Sequence, residues 1–220
     1  MPVKRALFSL LLVVCLASIL DGQDARTDTS PAPSDSVTLG ILVDCSGTQR
    51  LQLENTLSAV KQLSETIGEK DRAFVVRFVD AGKFSIVQEF TNNKDEINDS
   101  GDGLYIQGGQ TAIIDAVDRS ARYVKRNEPD FTANRAFVLI SDGEDQGSTK
   151  KIEDTIALLK ENQIKVFAIG ISDLKVSTKL LDRFAKETGG KTFMPRTTAE
   201  LSNAVITIAK LMRGAPAAAK

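Results

Sequence analysis

Apolar and polar positions along the chain fall into alternating blocks. Val37–Val43 is an unbroken apolar run of strand length, the pattern of a strand buried on both faces. Leu53, Leu57, Val60, Leu63 and Ile67 then recur at helical spacing, with Gly68 as the expected stop. Ala73–Val79 and Phe84–Phe90 read as strands, and the Asp80-Ala81-Gly82-Lys83 turn between them makes a hairpin. Ile113, Ala116, Val117, Ser120 and Val124 predict a second helix that ends before Pro129. Ala136–Ile140 and Ile164–Ile169 are further buried strands. Helices are predicted over Lys151–Asn162, over Thr178–Thr188 with Gly189-Gly190 closing it, and over Ala199–Met212. A short last strand covers Lys191–Met194.

Strand–helix alternation with one early hairpin predicts an α/β fold: an open, mostly parallel sheet with one antiparallel edge strand and helices on both faces. Ligand sites in such sheets lie beyond the carboxyl ends of the strands, near the point where the strand order reverses. The residues just after each apolar strand are therefore the first place to look for chemistry.

The ends of the chain read differently. Lys4 and Arg5 precede an uncharged apolar run, Ala6–Leu20. That is the pattern of a secretory signal, and it falls short of the roughly 20 residues that span a bilayer. Residues 1–22 are read as the signal, with cleavage after Gly22, and export to the periplasm or the medium is expected. Membrane contact is then expected only through an uncleaved signal anchor. Residues 23–36 are polar with Pro31 and Pro33, the composition of a flexible linker. The domain is placed at 37–213 and a short tail at 214–220.

Composition removes several classes of function. The chain of 220 residues has 28 Lys and Arg against 29 Asp and Glu, a net charge of -1, so no overall basic field exists to hold nucleic acid. Histidine is absent, which excludes Ser-His-Asp triads, Cys-His pairs and histidine zinc sites. Cys15 leaves with the signal and Cys45 stays alone, so no internal disulfide is expected. What remains is chemistry built on carboxylates, hydroxyls, lysine or a hard cation.

Three strand ends or helix starts carry oxygen donors. Asp44-Cys45-Ser46-Gly47-Thr48 follows the first strand, Gly108-Gly109-Gln110-Thr111 precedes the second long helix, and Ser141-Asp142-Gly143-Glu144-Asp145 follows the Ala136–Ile140 strand. Alternation lets Asp44, Ser46 and Thr48 face one point while Cys45 and Gly47 face elsewhere. Two carboxylates, three hydroxyls and water form an oxygen-only set of the kind that suits Mg²⁺. Neutral hydroxyls leave the ion short of negative charge, so a carboxylate from a partner would strengthen the site. Taken singly, each motif is equally an ordinary turn or helix cap.

Together these motifs resemble the metal-ion-dependent adhesion site of von Willebrand factor type A domains. The resemblance covers Val37–Arg213, and Leu180–Pro195 is similar to the end of that domain in secreted bacterial members. It implies a Rossmann-like fold. It also implies a divalent cation, Mg²⁺ with Mn²⁺ or Ca²⁺ as alternatives, held by Ser46, Thr48 and Thr111, with Asp44 and Asp142 acting directly or through water. The implied partner is a protein that presents an Asp or Glu carboxylate, and no enzyme activity is implied. Two departures stand out: the family usually has serine in place of Thr48, and Gln110 interrupts the usual Gly-Gly-Thr-Ala.

Two other readings stay open. The Asp44-x-Ser46-Gly47-Thr48 segment also resembles haloacid dehalogenase phosphatases, with Asp44 as nucleophile. Ser46 then stands where that chemistry needs an aspartate as general acid and base. A structural envelope protein with a vestigial metal site is the second alternative. The acidic stretch Asp95, Glu96, Asp99 and Asp102, with Glu144 and Asp145, reads as a solvated rim or as a guide toward a basic partner surface.

Overall fold

The computed structural model describes residues 36–129, 133–172 and 176–214. The expected signal, nearly all of the linker and the tail beyond Gly214 lie outside the described residues. Among the described residues the sheet has strands β1 (Val37–Asp44), β2 (Arg72–Phe78), β3 (Phe84–Thr91), β4 (Asn134–Ser141), β5 (Ile164–Gly170) and β6 (Thr192–Phe193). Their spatial order is β3-β2-β1-β4-β5-β6, and every neighbouring pair is parallel except β2 with β3. Helices α1 (Leu53–Ser64), α2 (Lys94–Asp99), α3 (Ile113–Asn127), α4 (Ile152–Glu161), α5 (Thr178–Thr188) and α6 (Thr198–Met212) cover both faces. The expected fold class is the observed one.

Alternation along the central strand explains the two layers. Leu39, Ile41 and Val43 of β1 point into one core with Val60 and Leu63 of α1, Ile97 of α2, and Val205 and Ile208 of α6. Leu42 points the other way, into a core shared with Phe74, Val76 and Phe78 of β2 and with α3, α4 and α5. On that second face Gly40 makes room for aromatic rings. A Cβ there would come within 2.6 Å of the Phe137 ring and 2.7 Å of the Phe74 ring, which pack edge to face.

The chain end is tied back to the start of the sheet. Arg213, just after α6, donates to Asp71 Oδ1 at 3.1 Å and to the Thr66 carbonyl at 3.0 Å, while Asp71 also accepts from the Val37 amide at 2.8 Å. One buried carboxylate thus joins β1, the turn before β2 and the last helix.

Three boundaries depart from the sequence pattern. The first helix ends at Ser64 rather than running to Gly68, because the Ser64 and Thr66 hydroxyls bond back to the carbonyls of Lys61 and Leu63 and round off the last turn. A 3-10 turn over Gly47–Gln52 carries the chain from β1 into α1. The last strand keeps two residues, Thr192 and Phe193, of the four expected.

The acidic stretch before the glycine loop is helix α2 followed by a 3-10 turn, with Ile97 fully buried. Its start is an N-cap: the Asn93 side chain accepts from the Asp95 amide at 2.9 Å, and its amide nitrogen donates to Glu96 Oε1 at 3.3 Å. Asn93-x-x-Glu96 was the signal available in the sequence, masked by the run of charge around it.

Candidate metal centre

Chain order places β1 in the middle, with β2 on one side and β4 on the other. The connection reverses between them, so the crevice of the fold opens beyond the carboxyl ends of β1 and β4. Asp44 ends β1 and Ser141 ends β4. The Ser141 hydroxyl donates to Asp44 Oδ2 at 2.7 Å, bridging the reversal. Asp44 Oδ1 accepts from the Ser46 amide at 2.9 Å. Both carboxylate oxygens are therefore engaged, and the residue is only 1% exposed. Burial pushes the Asp44 carboxyl up to about 6, against the pull of its hydrogen bonds to Ser46 and Ser141, and the charge of Asp142 adds to the rise.

Ser46 and Thr48 lie in the turn that follows. Their hydroxyl oxygens are 3.1 Å apart. Ser46 precedes the 3-10 turn, but its side chain caps none of the turn's amides. The hydroxyl is thus free of the ordinary duty of a serine at that position. Ser46 is buried and Thr48 is exposed, so the Thr48 methyl fills no space in the core.

Thr111 sits at the mouth of α3 and is buried. Capping would be the bland role for it, and a different residue performs that role. Asp145 Oδ1 accepts from the amides of Ile113 at 2.6 Å and Ile114 at 3.3 Å, and from the Ser148 hydroxyl at 2.6 Å. The Thr111 carbonyl in turn accepts from the amides of Gln146 and Gly147, both at 2.9 Å, which fixes the glycine loop against the segment that follows β4. Asp145, read from sequence as part of a solvated rim, is a structural cap.

Asp142 follows β4 and is 3% exposed. Its Oδ1 accepts from the Glu144 amide at 3.0 Å, and among the described residues Oδ2 has no hydrogen-bond partner. The chain turns away at Gly143, which has φ +83 and whose Cβ would lie 2.0 Å from the Ser177 carbonyl oxygen. Only glycine fits there. The Ser177 amide donates to the Asp142 carbonyl at 2.7 Å, closing the start of α5 onto the same edge.

Residues outside the expected five hold this edge in place. Ser141 is the clearest; its signal was a hydroxyl residue placed at a strand end beside Asp142. Lys83 is another: its ammonium bonds Asp80 Oδ2 and the Gly108 carbonyl, each at 2.7 Å, pinning the glycine loop to the β2–β3 turn. Cys45 points into the core, and burial pushes its thiol up to about 12, so it is an inert apolar side chain.

All five expected residues thus belong to one edge of the sheet, on segments joined by direct bonds. Residues 39–206 match the von Willebrand factor type A domain.

The chain belongs to that family.

Solved structures similar to this von Willebrand factor type A domain include a protein of the same description from Catenulispora acidiphila. That pair has a TM-score of 0.68 and 21% identity, covering 81% of this chain and 43% of the other. An aerotolerance-related membrane protein from Bacteroides fragilis has a TM-score of 0.60 and 19% identity over 80% of this chain and 98% of its own. Proximal thread matrix protein 1 from the mussel byssus has a TM-score of 0.62 and 18% identity over 82% of this chain and 47% of its own. At these identities the likeness is one of fold. The chain spans less than half of the Catenulispora and mussel proteins. No curated protein matches the sequence significantly. Domains of this family are generally protein-interaction modules. Among the described residues no helix is long and apolar enough to cross a membrane, and Cys45 is a free thiol.

Proposed function

We propose that this domain is an exported, divalent-cation-dependent protein-binding module whose crest takes Mg²⁺, with Mn²⁺ or Ca²⁺ as alternatives. The observation that carries the reading is the pair of hydroxyls on Ser46 and Thr48, 3.1 Å apart and unused for capping. Adjacent ligands of an octahedral ion with Mg–O near 2.0–2.1 Å lie about 2.9 Å from each other, so this pair fits one edge of such a shell. Asp142 offers a carboxylate oxygen without a hydrogen-bond partner among the described residues, and Thr111 a buried hydroxyl not needed by its helix. The set offered to the ion is thus a mixed one of hydroxyls and carboxylates.

Within this reading Ser46, Thr48 and Thr111 hold the ion, with Asp44 and Asp142 directly or through water. A bound cation would supply a positive charge that attracts a carboxylate of the partner protein. Asp44 is oriented for its part by Ser141 and by the Ser46 amide. We read the domain as non-enzymatic. A phosphatase of the kind that uses Asp44 as nucleophile would need a general acid and base where Ser46 stands, and a serine hydroxyl cannot serve as one.

Calorimetric titration of Mg²⁺, Mn²⁺ and Ca²⁺ into the protein tests this, run beside Asp44→Ala and Asp142→Ala. The expected result is saturation near one ion per chain, lost in both variants while far-UV circular dichroism is unchanged. No heat from any of the ions up to millimolar concentration, with the fold intact, overturns the metal-dependent reading.

A further inference from the structure

The edge of the sheet opposite β6 carries a second feature, independent of the metal centre. Strand β3 pairs with β2 on one side, and among the described residues no strand pairs with its other side. An exposed strand edge presents unpaired backbone donors and acceptors, a template for another extended segment. Beside it runs a groove of about 410 Å³ between β3 and α3. Its floor is Phe84, Ile86 and the ring of Tyr123, and its wall carries Arg119, Arg122 and Arg126. These arginines stand three or four residues apart on α3, so they form one stripe, and all three are exposed.

The charge along this stripe is not balanced locally. Arg122 is bound by Asp118, with nitrogen–oxygen distances of 2.8 and 3.2 Å, and Lys125 on the groove's margin by Glu161 at 2.7 Å. Among the described residues, Arg119 and Arg126 have no carboxylate partner. Arg119 lies 5.5 Å over the Phe84 ring, a contact that leaves its charge available. The carboxylates near the groove are already taken: Glu89 accepts from the Tyr123 hydroxyl and Asp118 holds Arg122.

We propose that this groove is a docking site for an extended acidic segment of a protein partner, added as a strand to the free edge of β3. Strand geometry turns every second side chain of such a segment toward α3. Acidic side chains there meet Arg119 and Arg126, and an apolar one between them meets Phe84 and Ile86. The backbone edge supplies affinity, and the arginine stripe selects for negative charge. A partner held at the metal crest can use this groove or leave it empty, because the two features share no residue.

The probe is a fluorescein-labelled peptide in which Asp, Leu and Glu alternate with Thr, compared with one carrying Asn, Leu and Gln at the same places. Fluorescence anisotropy is expected to show the acidic peptide binding at least about tenfold more tightly, with affinity falling as salt rises. The Arg119→Glu/Arg126→Glu double variant should lose that preference while keeping its thermal midpoint, since both side chains are exposed. Hydrogen exchange should slow at the amides of 84–91 when the acidic peptide is present, and EDTA should change nothing. Equal binding of the two peptides, or binding without slowed exchange in β3, overturns the proposal. Sedimentation with phosphatidylglycerol vesicles, lost in the double variant while the peptide fails to bind, overturns it in favour of an anionic membrane surface.

Discussion

The Ser141 hydroxyl donates to Asp44 Oδ2 at 2.7 Å across 97 positions of sequence, joining the ends of the two strands between which the sheet reverses. The same hydroxyl accepts from the Gly143 amide at 3.1 Å. One small side chain therefore orients a buried carboxylate and begins the turn that places Asp142. Ser141→Ala should cost about 1–3 kcal/mol at neutral pH, the usual range for a buried acceptor left short of its donor. Urea denaturation measures this directly, and the Mg²⁺ affinity should weaken in the same variant.

Asp44 makes stability depend on pH in an unusual direction. Burial raises its carboxyl from 3.8 to about 6, so the folded state holds the proton more tightly than the unfolded chain. Stability of the ion-free protein should therefore fall as pH rises between these values, by up to about 3 kcal/mol. Thermal melts in EDTA should show a lower midpoint at pH 7.5 than at pH 5. Asp44→Asn should flatten that slope, and Mg²⁺ should raise the midpoint at pH 7.5 much more than at pH 5.

Asp71 should act with the opposite sign. Burial pushes its carboxyl up, but hydrogen bonds from Arg213 and from the Gly68 and Val37 amides outweigh that and hold it below the usual range. Its contribution is complete above the ordinary carboxylate range and is lost as pH falls through the depressed value. Asp71→Asn should lower stability at neutral pH and flatten the acid limb below about pH 4. Comparing acid-unfolding curves of the two proteins checks this.

Asp145 and Asp142 are near neighbours in sequence with separable jobs. Asp145→Ala removes the cap of α3 and should cost about 1–2 kcal/mol in chemical denaturation while leaving cation binding in place. Asp145→Asn should keep much of that stability. Asp142→Ala should do the reverse, with binding lost and the denaturation midpoint little changed. If calorimetry finds Asp145→Ala to be the variant that abolishes binding, the assignment of the two carboxylates is wrong.

Thr48→Ser replaces this chain's departure from the family pattern with the usual residue. Thr48 is exposed, so the lost methyl leaves no cavity. Serine keeps the hydroxyl and frees its χ1 angle. The Mg²⁺ affinity should be retained or raised in calorimetry; complete loss would show that the stiff rotamer is what positions the oxygen.

The elements that could be read from sequence are those whose burial is periodic. Val37–Val43, Ala136–Ile140 and Ile164–Ile169 are buried on both faces, so they appear as continuous apolar runs, and with the intervening helices they fix the fold class. Of the proposed donors, Asp44, Ser46, Thr48 and Asp142 end or follow parallel strands, which deliver their last and following residues to the same edge, whereas Thr111 reaches that edge just before α3. Helix α2 was harder to see, since one buried side chain, Ile97, makes no period among charges.

The sequence by itself thus determined the layering, the strand ends and the oxygen-bearing side chains on them. Tertiary structure alone decided which donors are free and which are spent. Asp142 and Asp145 look alike in the chain, and only folding sets one beside Asp44 and the other against the amides of α3. Ser141 gained its role because β4 lies next to β1, a pairing made across nearly a hundred residues. Local patterns record what each segment buries; the partner of a polar group depends on which segments meet, and long-range packing sets that.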